Sequence, residues 1–335
     1  MRLFKTLLLA LVAAAVLLAG AGAWWLQRPL ELTAADGAPL PLAVQIEAGS
    51  SARGAAQALV NAGVQTPPLL LFAWFRLSGQ SRAIKAGHYE LEAGLTPRSL
   101  LDKLVKGDQA LRSLTLLEGW NFREVLQAVR QSPDLAQDLE GLSAADIMAR
   151  IGYPGRHPEG RFFPDTYRMV RGASAASVLR QAAQAMDQRL AQAWAQRAPD
   201  AVVKTPEQAL ILASIIEKET GVDSDRALVG GVFNNRLRIG MRLQTDPSVI
   251  YGLGERFDGN LRKADLLADT PYNSYTRAGL PPTPIAMPGW ASLMAAVQPA
   301  QTPALYFVAR GDGSSHFSAS LAEHNAAVQR YQLQR

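Results

Sequence analysis

The densest chemistry in the sequence lies in TPEQALILASIIEKETG, residues 205–221, where two glutamates flank a lysine at the end of an apolar run. Thr205 and Pro206 are residue types that open a helix, Gln208 completes a capping-box pattern, and Gly221 marks the stop. Ala209 to Ile216 is apolar nearly all the way round, which predicts a buried rod carrying Glu217, Lys218 and Glu219 on its last turn. A carboxyl placed there meets the negative end of the helix dipole and an apolar wall, and both favour its protonated form. General-acid work near neutral pH needs that upward tuning. The two glutamates sit about 200° apart around a helix. Glu219 stacks over Leu212, Ile215 and Ile216, and Glu217 over Ala213 and Ser214, so Glu219 has the more apolar neighbours. The alternative from spacing alone is that both are solvated end-of-helix residues.

Polar residues suited to sugar hydroxyls follow downstream. In GVFNNRLRIGMRLQTDPSVIYGLGERFDG (231–259), Asn235 falls on a helix, and Gln244, Thr245 and Asp246 precede Pro247, with Tyr251 close behind. Amides, a hydroxyl and a carboxylate beside an aromatic ring suit a saccharide groove; turn formation is the alternative for Asp246-Pro247. The segment PYNSYTRAGLPPTPIAMPG (271–289) holds Asn273 and Tyr275 among prolines and glycines, and predicts a rigid irregular loop forming one wall of a cleft. His316 and His324 read as structural hydrogen-bonders. There is no Cys, and the four His are far apart, so neither a thiolate nucleophile nor a metal site is expected, and no cofactor. No G-x-S-x-G, H-E-x-x-H or G-x-x-x-x-G-K occurs.

The elements that must position these residues come in three parts. Thr6–Leu26 is an uncharged apolar run of 21 residues, long enough to cross a bilayer, with Arg2 and Lys5 before it and Trp24 and Trp25 at its end. The basic start predicts a cytoplasmic N-terminus. A cleaved signal peptide is the rival, given Ala21-Gly22-Ala23. Residues 1–28 therefore read as cytoplasmic start and anchor, and the polar, Pro/Gly-marked 29–41 as a tether. Residues 42–108 read as a small α+β module: strand LAVQIEAG, helix SARGAAQALVNAG, an apolar helix around Leu69–Leu77, strand GHYELEAG, then a capped helix ending at Gly107. Its Phe-Trp-Phe helix reads as core. Residues 109–335 read as a larger mixed α+β domain, with a strand from Leu111, helices near 121–132, 144–151 and 175–196, and a strand over 304–309. The fold class is thus α+β behind an N-terminal transmembrane helix. Hydrophobic content of 48% against 19% charged residues describes a folded body. The net charge of +5 is scattered, which suits an anionic envelope, and no nucleic-acid motif appears.

Four blocks, EGRFFPDTY, LASIIEKET, NNRLRIGMRLQTDPSVIYGLGER and YNSYTRAGLPP, resemble in kind and order the signature blocks of the membrane-bound endolytic murein lytic transglycosylases. The resemblance runs from the apolar N-terminal segment to the C-terminus. It implies an inner-membrane anchor, a LysM-like module over 42–108 and a periplasmic catalytic domain. Glycan strands of peptidoglycan are the implied substrate, and a peptidoglycan synthase of the penicillin-binding type an implied partner. The long apolar second helix departs from the LysM plan. The family pattern places the catalytic glutamate at Glu219, and the implied reaction is non-hydrolytic cleavage of the MurNAc-β-1,4-GlcNAc bond to leave 1,6-anhydro ends during wall growth and remodelling. Two alternatives stand beside it: a muramidase using Asp246 to activate water, and a non-catalytic wall-binding scaffold.

Overall fold

The computed structural model describes residues 2–33 and 40–333, and the chain divides into two compact units, 1–112 and 113–335. The middle of the segment expected to be a tether, 34–39, lies outside the described residues.

In the first unit, α1 (Arg2–Trp25) is apolar beyond Lys5, and Phe4–Trp25 is long enough to cross a membrane or serve as a signal sequence. Strand β1 (Leu42–Ile46) is followed by α2 (Ala52–Asn61), α3 (Pro68–Leu77), β2 (Gly87–Leu91) and α4 (Pro97–Lys106), giving the expected strand–helix–helix–strand order. Ser51 caps α2, and Thr96 with Ser99 forms a capping box on α4. Strands β1 and β2 pair antiparallel, Leu42 opposite Leu91 and Val44 opposite Tyr89, and the alternating pattern of β1 turns Leu42, Val44 and Ile46 inward. They meet Leu59, Leu71, Phe75 and Leu101 in one core. Two expectations change here. Leu30 is buried in that core, and the Leu30, Thr33 and Gln65 amides donate to the Leu95, Gly63 and Glu31 carbonyls, so the chain joins the module within five residues of α1. Helix α3 is core on one side only, because Leu69, Leu70 and Leu77 face outward.

After β3 (Leu111–Thr115), which spans the boundary between the units, the second unit runs α5 (Phe122–Gln131), β4 (Leu135–Ala136), α6 (Ala144–Arg150), β5 (Thr166–Val170), β6 (Ala173–Ser174), α7 (Ala175–Ala195), α8 (Pro206–Glu219) and α9 (Arg226–Arg238). It continues through α10 (Asp246–Leu253), α11 (Lys263–Leu267), α12 (Trp290–Val297), β7 (Tyr306–Ala309), β8 (Ser315–Ser318) and α13 (Leu321–Val328). Among the described residues its strands form two-stranded pairs: β3 with β5, β4 parallel to β6, and β7 antiparallel to β8. Helices carry the fold. One cluster gathers α5, α6 and the first half of α7 around Phe162; a second gathers the rest of α7 with α8, α9 and α12. Helix α8 is the hub of the second cluster, packed by α7, α9, α10 and α12, with every residue from Ala209 to Ile216 buried. Asp246-Pro247, for which a turn was the alternative, opens α10 behind the Thr245 cap. The segment 271–289 stays irregular, as its prolines require.

Candidate active site

Helix α8 carries its last turn from a buried hub to the floor of an open cleft. Thr205 accepts the Gln208 N–H at 3.2 Å, while the Gln208 side chain accepts from Lys204 instead of closing a capping box on Thr205. Ser214 is sealed inside: its hydroxyl donates to the Ile211 carbonyl at 2.7 Å and accepts the Ile285 N–H at 3.0 Å. The helix ends at Glu219 because Thr220 turns to extended backbone and its hydroxyl caps the Ile216 carbonyl at 2.7 Å. Gly221 follows where a Cβ would come within 2.9 Å of the Gly313 carbonyl, so the turn from α8 to the cleft edge needs a glycine.

Glu219 opens into a cleft of about 750 Å³. Gln244, Asp246 and Tyr275 line one side, and Phe233, Tyr306 and His324 another. That volume is in the range of small-molecule sites. Burial pushes the Glu219 carboxyl up from its ordinary 4.5 to about 7; the Asp246 carboxylate adds to the rise, while the Thr245 hydroxyl bond and the Arg236 guanidinium oppose it. The balance leaves a carboxyl that exchanges a proton near neutral pH, facing open space. Such a group can protonate an oxygen and take a proton back.

The surroundings fix this geometry through backbone and buried polar bonds. The Thr245 amide donates to the Ser274 hydroxyl at 2.9 Å, and the Ser248 and Ser274 hydroxyls lie 2.8 Å apart, tying the start of α10 to the irregular loop. Tyr275 on that loop donates its hydroxyl to Asp246 Oδ1 at 2.6 Å, and burial and that carboxylate hold the phenol protonated. Gln244 adopts φ +52°, the only non-glycine in the left-handed region among the described residues, and its amide donates to the Ser274 carbonyl at 3.1 Å. Strained backbone of this kind persists where the surroundings over-determine it, here on the cleft wall.

Of the residues expected at the site, Glu219, Gln244, Asp246 and Tyr275 come together on the cleft, and Thr245 bonds to Glu219 from beneath it. The other three lie elsewhere. Asn235 gives its amide to the Thr302 and Ala304 carbonyls at 2.7 and 3.0 Å, fastening α9 to the lead-in of β7. Asn273 is fully buried and gives its amide to the Asp265, Leu266 and Ala268 carbonyls, while its Oδ1 accepts the Tyr275 N–H at 2.9 Å. Both asparagines brace the wall and leave no free amide for a sugar. Tyr251 lines a second cavity of about 510 Å³ with Arg123, Lys218 and Phe257. Its hydroxyl bonds to Glu159, and its ring meets Tyr272 edge-on at 4.9 Å.

Arg236 was legible only as one polar residue among several on a helix. It is buried, donates to the Leu305 and Leu243 carbonyls at 2.6 and 2.5 Å, and lies over the Tyr306 ring at 5.4 Å. It thereby holds β7 against α9 and places a fixed positive charge near Glu219. A cation set between Phe233 and Leu237 in a helix was the available signal. His324 stacks on Tyr306 at 5.2 Å, and its buried Nδ1 has no hydrogen-bond partner, so ring packing, not hydrogen bonding, places it. Glu217 departs most from a solvated helix end. Its side chain is 7% exposed, pairs with the Arg226 guanidinium at 3.0 Å, and accepts the Gly289 N–H at 2.9 Å. Arg226 also reaches Ser292 and Asp223, so Glu217 belongs to a fixed ion-pair network behind the cleft.

The sequence model of the YceG-like family matches residues 44–330 of the chain. An endolytic murein transglycosylase of Bacillus subtilis (strain 168) is 30% identical over 305 residues, covering 86% of this chain and 84% of that one. A protein of the same name from Streptococcus pneumoniae serotype 2 is 28% identical over 322 residues, covering 85% of this chain but 57% of that longer relative. The crystal structure of a YceG-like protein from Listeria monocytogenes is similar at TM-score 0.55 and 29% identity, over 85% of this chain and 98% of that one.

Proposed function

The chain belongs to the YceG-like family, and from that premise we propose that it is a peptidoglycan lytic transglycosylase in which Glu219 serves as both acid and base. The observation that carries the proposal is a carboxyl pushed up to about 7 at the end of a buried helix, opening into a 750 Å³ cleft. The two relatives named as endolytic murein transglycosylases supply the substrate class. The protonated Glu219 gives its proton to the oxygen of the MurNAc-β-1,4-GlcNAc bond as that bond to the muramic anomeric carbon breaks. The Asp246 carboxylate, held by Tyr275, offers negative charge to the oxocarbenium that develops. The Glu219 carboxylate then takes the proton from the sugar's own 6-hydroxyl, whose oxygen closes on the anomeric carbon as a 1,6-anhydro ring. The nucleophile is intramolecular, so one carboxyl serves both steps.

Around this site the remaining readings fit together. Helix α1 acts as an uncleaved inner-membrane anchor, with the second unit on the periplasmic side, where it acts during wall growth. The paired strands and two helices of the first unit support a LysM-like module, and a peptidoglycan synthase is the partner such an enzyme would work beside. A muramidase would need Asp246 to activate water, whereas here Asp246 is held by the Tyr275 hydroxyl. Digestion of purified wall strands read by mass spectrometry separates the two: the transglycosylase leaves 1,6-anhydro ends, and the hydrolase leaves reducing ends heavier by one water.

A further inference from the structure

We propose that the outward face of α3 is a membrane-docking surface that seats the first unit on the bilayer into which α1 inserts. The proposal rests on α1 remaining as an anchor. Helix α3 buries Leu71 and Phe75 but turns Leu69, Leu70 and Leu77 outward, at 67, 43 and 86% exposure. Positions 70 and 77 are two turns apart and so stack along one stripe, with Ala73 between them. Three large apolar side chains on one ten-residue helix form a patch that water disfavours and that marks an interaction surface. Exposed Arg76 and Arg82 sit at its C-terminal flank, the charge that anionic headgroups attract.

The occupant follows from how the unit is joined to α1. Trp25, the last residue of α1, packs against the same core that holds Leu71 and Phe75. Leu30 already lies in that core, and five residues span at most about 18 Å fully extended. Thr33 and Gln65 tie the incoming chain to the turn just before α3, through the Gly63 and Glu31 carbonyls at 2.9 and 2.8 Å. With α1 in a membrane, the unit has no slack to leave the surface, and α3 follows directly on the turn to which the incoming chain is tied. Amphipathic helices that lie at such a surface bury their apolar face about 5–10 Å below the headgroups. The apolar second helix, which departs from a plain glycan-binding plan, thereby acquires a use.

The chain has no Cys, so single cysteines report cleanly. Full-length Leu70→Cys and Leu77→Cys variants would carry an environment-sensitive fluorophore and be reconstituted in vesicles of phosphatidylethanolamine and phosphatidylglycerol. The expected result is loss of fluorescence when bromines are placed on the upper acyl chains, together with protection from aqueous iodide. Labels quenched by iodide and not by bromolipid, in protein that resists alkaline extraction, would overturn the docking while leaving the anchor intact. Labels shielded from both quenchers would show a protein-covered face and overturn it as well. Release of the chain by alkaline extraction would remove the anchor, and the docking with it.

Discussion

Two carboxyls in the second unit are pushed from 4.5 to about 7, both chiefly by burial, yet their surroundings differ in kind. Glu159 is 3% exposed and closed in by donors: the Phe122 N–H at 3.0 Å, the Gly160 N–H and the Tyr251 hydroxyl. It braces the start of α5, and no open cleft brings a substrate to its proton. Glu219 meets a hydroxyl, a carboxylate and a guanidinium on one side and an open cleft on the other. Glu217, two residues before it, has no cleft face and is held in an ion pair. A raised carboxyl thus marks a proton donor only where substrate can reach it; elsewhere the same physics makes a structural latch.

The largest effect expected from this contrast is on rate. Glu219→Gln should lower strand cleavage by at least ~10²–10⁴-fold, the usual worth of a general acid, while the protein still melts cooperatively. Cleavage near the wild-type rate would collapse the contrast. Glu217→Gln should do the reverse, breaking a buried pair at a cost of about 3–5 kcal/mol in denaturant unfolding while the folded fraction cleaves at nearly the wild-type rate. Glu159 gives a pH signature. Its folded carboxyl holds a proton that the unfolded one releases above its ordinary value, so its contribution is full below about pH 4.5 and is lost as pH rises through about 7. That loss amounts to about 3 kcal/mol, and urea midpoints of Glu159→Gln measured from pH 5 to 8 should fall less than those of the wild type. The smallest effect is a shift of the pH profile in Asp246→Asn, which comes on top of the rate lost when the negative charge facing the oxocarbenium is withdrawn. Removing that charge relieves part of the rise at Glu219, so the alkaline fall in rate should move toward acid by up to about one pH unit.

Local patterns made α8 legible: a Thr-Pro start, an apolar run and charged residues at its end each act within a few residues. The strand–helix–helix–strand module was legible for the same reason. What the sequence hides is the identity of long-range partners. Arg226 reaches Glu217 across the break after Thr220, Gly289 reaches it from 72 positions away, and Tyr275 meets Asp246 over 29. Nothing in residue type distinguishes an asparagine that binds sugar from one that braces a loop: the sequence points Asn235 and Asn273 to a groove, and the fold uses both on backbone carbonyls. Glu159 in EGRFFPDTY has no role legible in the sequence, because its burial depends on α5 and Tyr251 arriving from either side in sequence.

The most direct test of the central claim is the pH dependence of kcat/KM for strand cleavage in wild type and in Glu159→Gln. A general acid works only while protonated, so the wild-type rate should fall as pH rises through about 7. With Glu219 as the donor, Glu159→Gln should show the same fall at the same pH, even though its stability falls less over that range than that of the wild type. A fall that disappears with Glu159, or a wild-type rate that stays flat through pH 7, would contradict the assignment of the proton to Glu219.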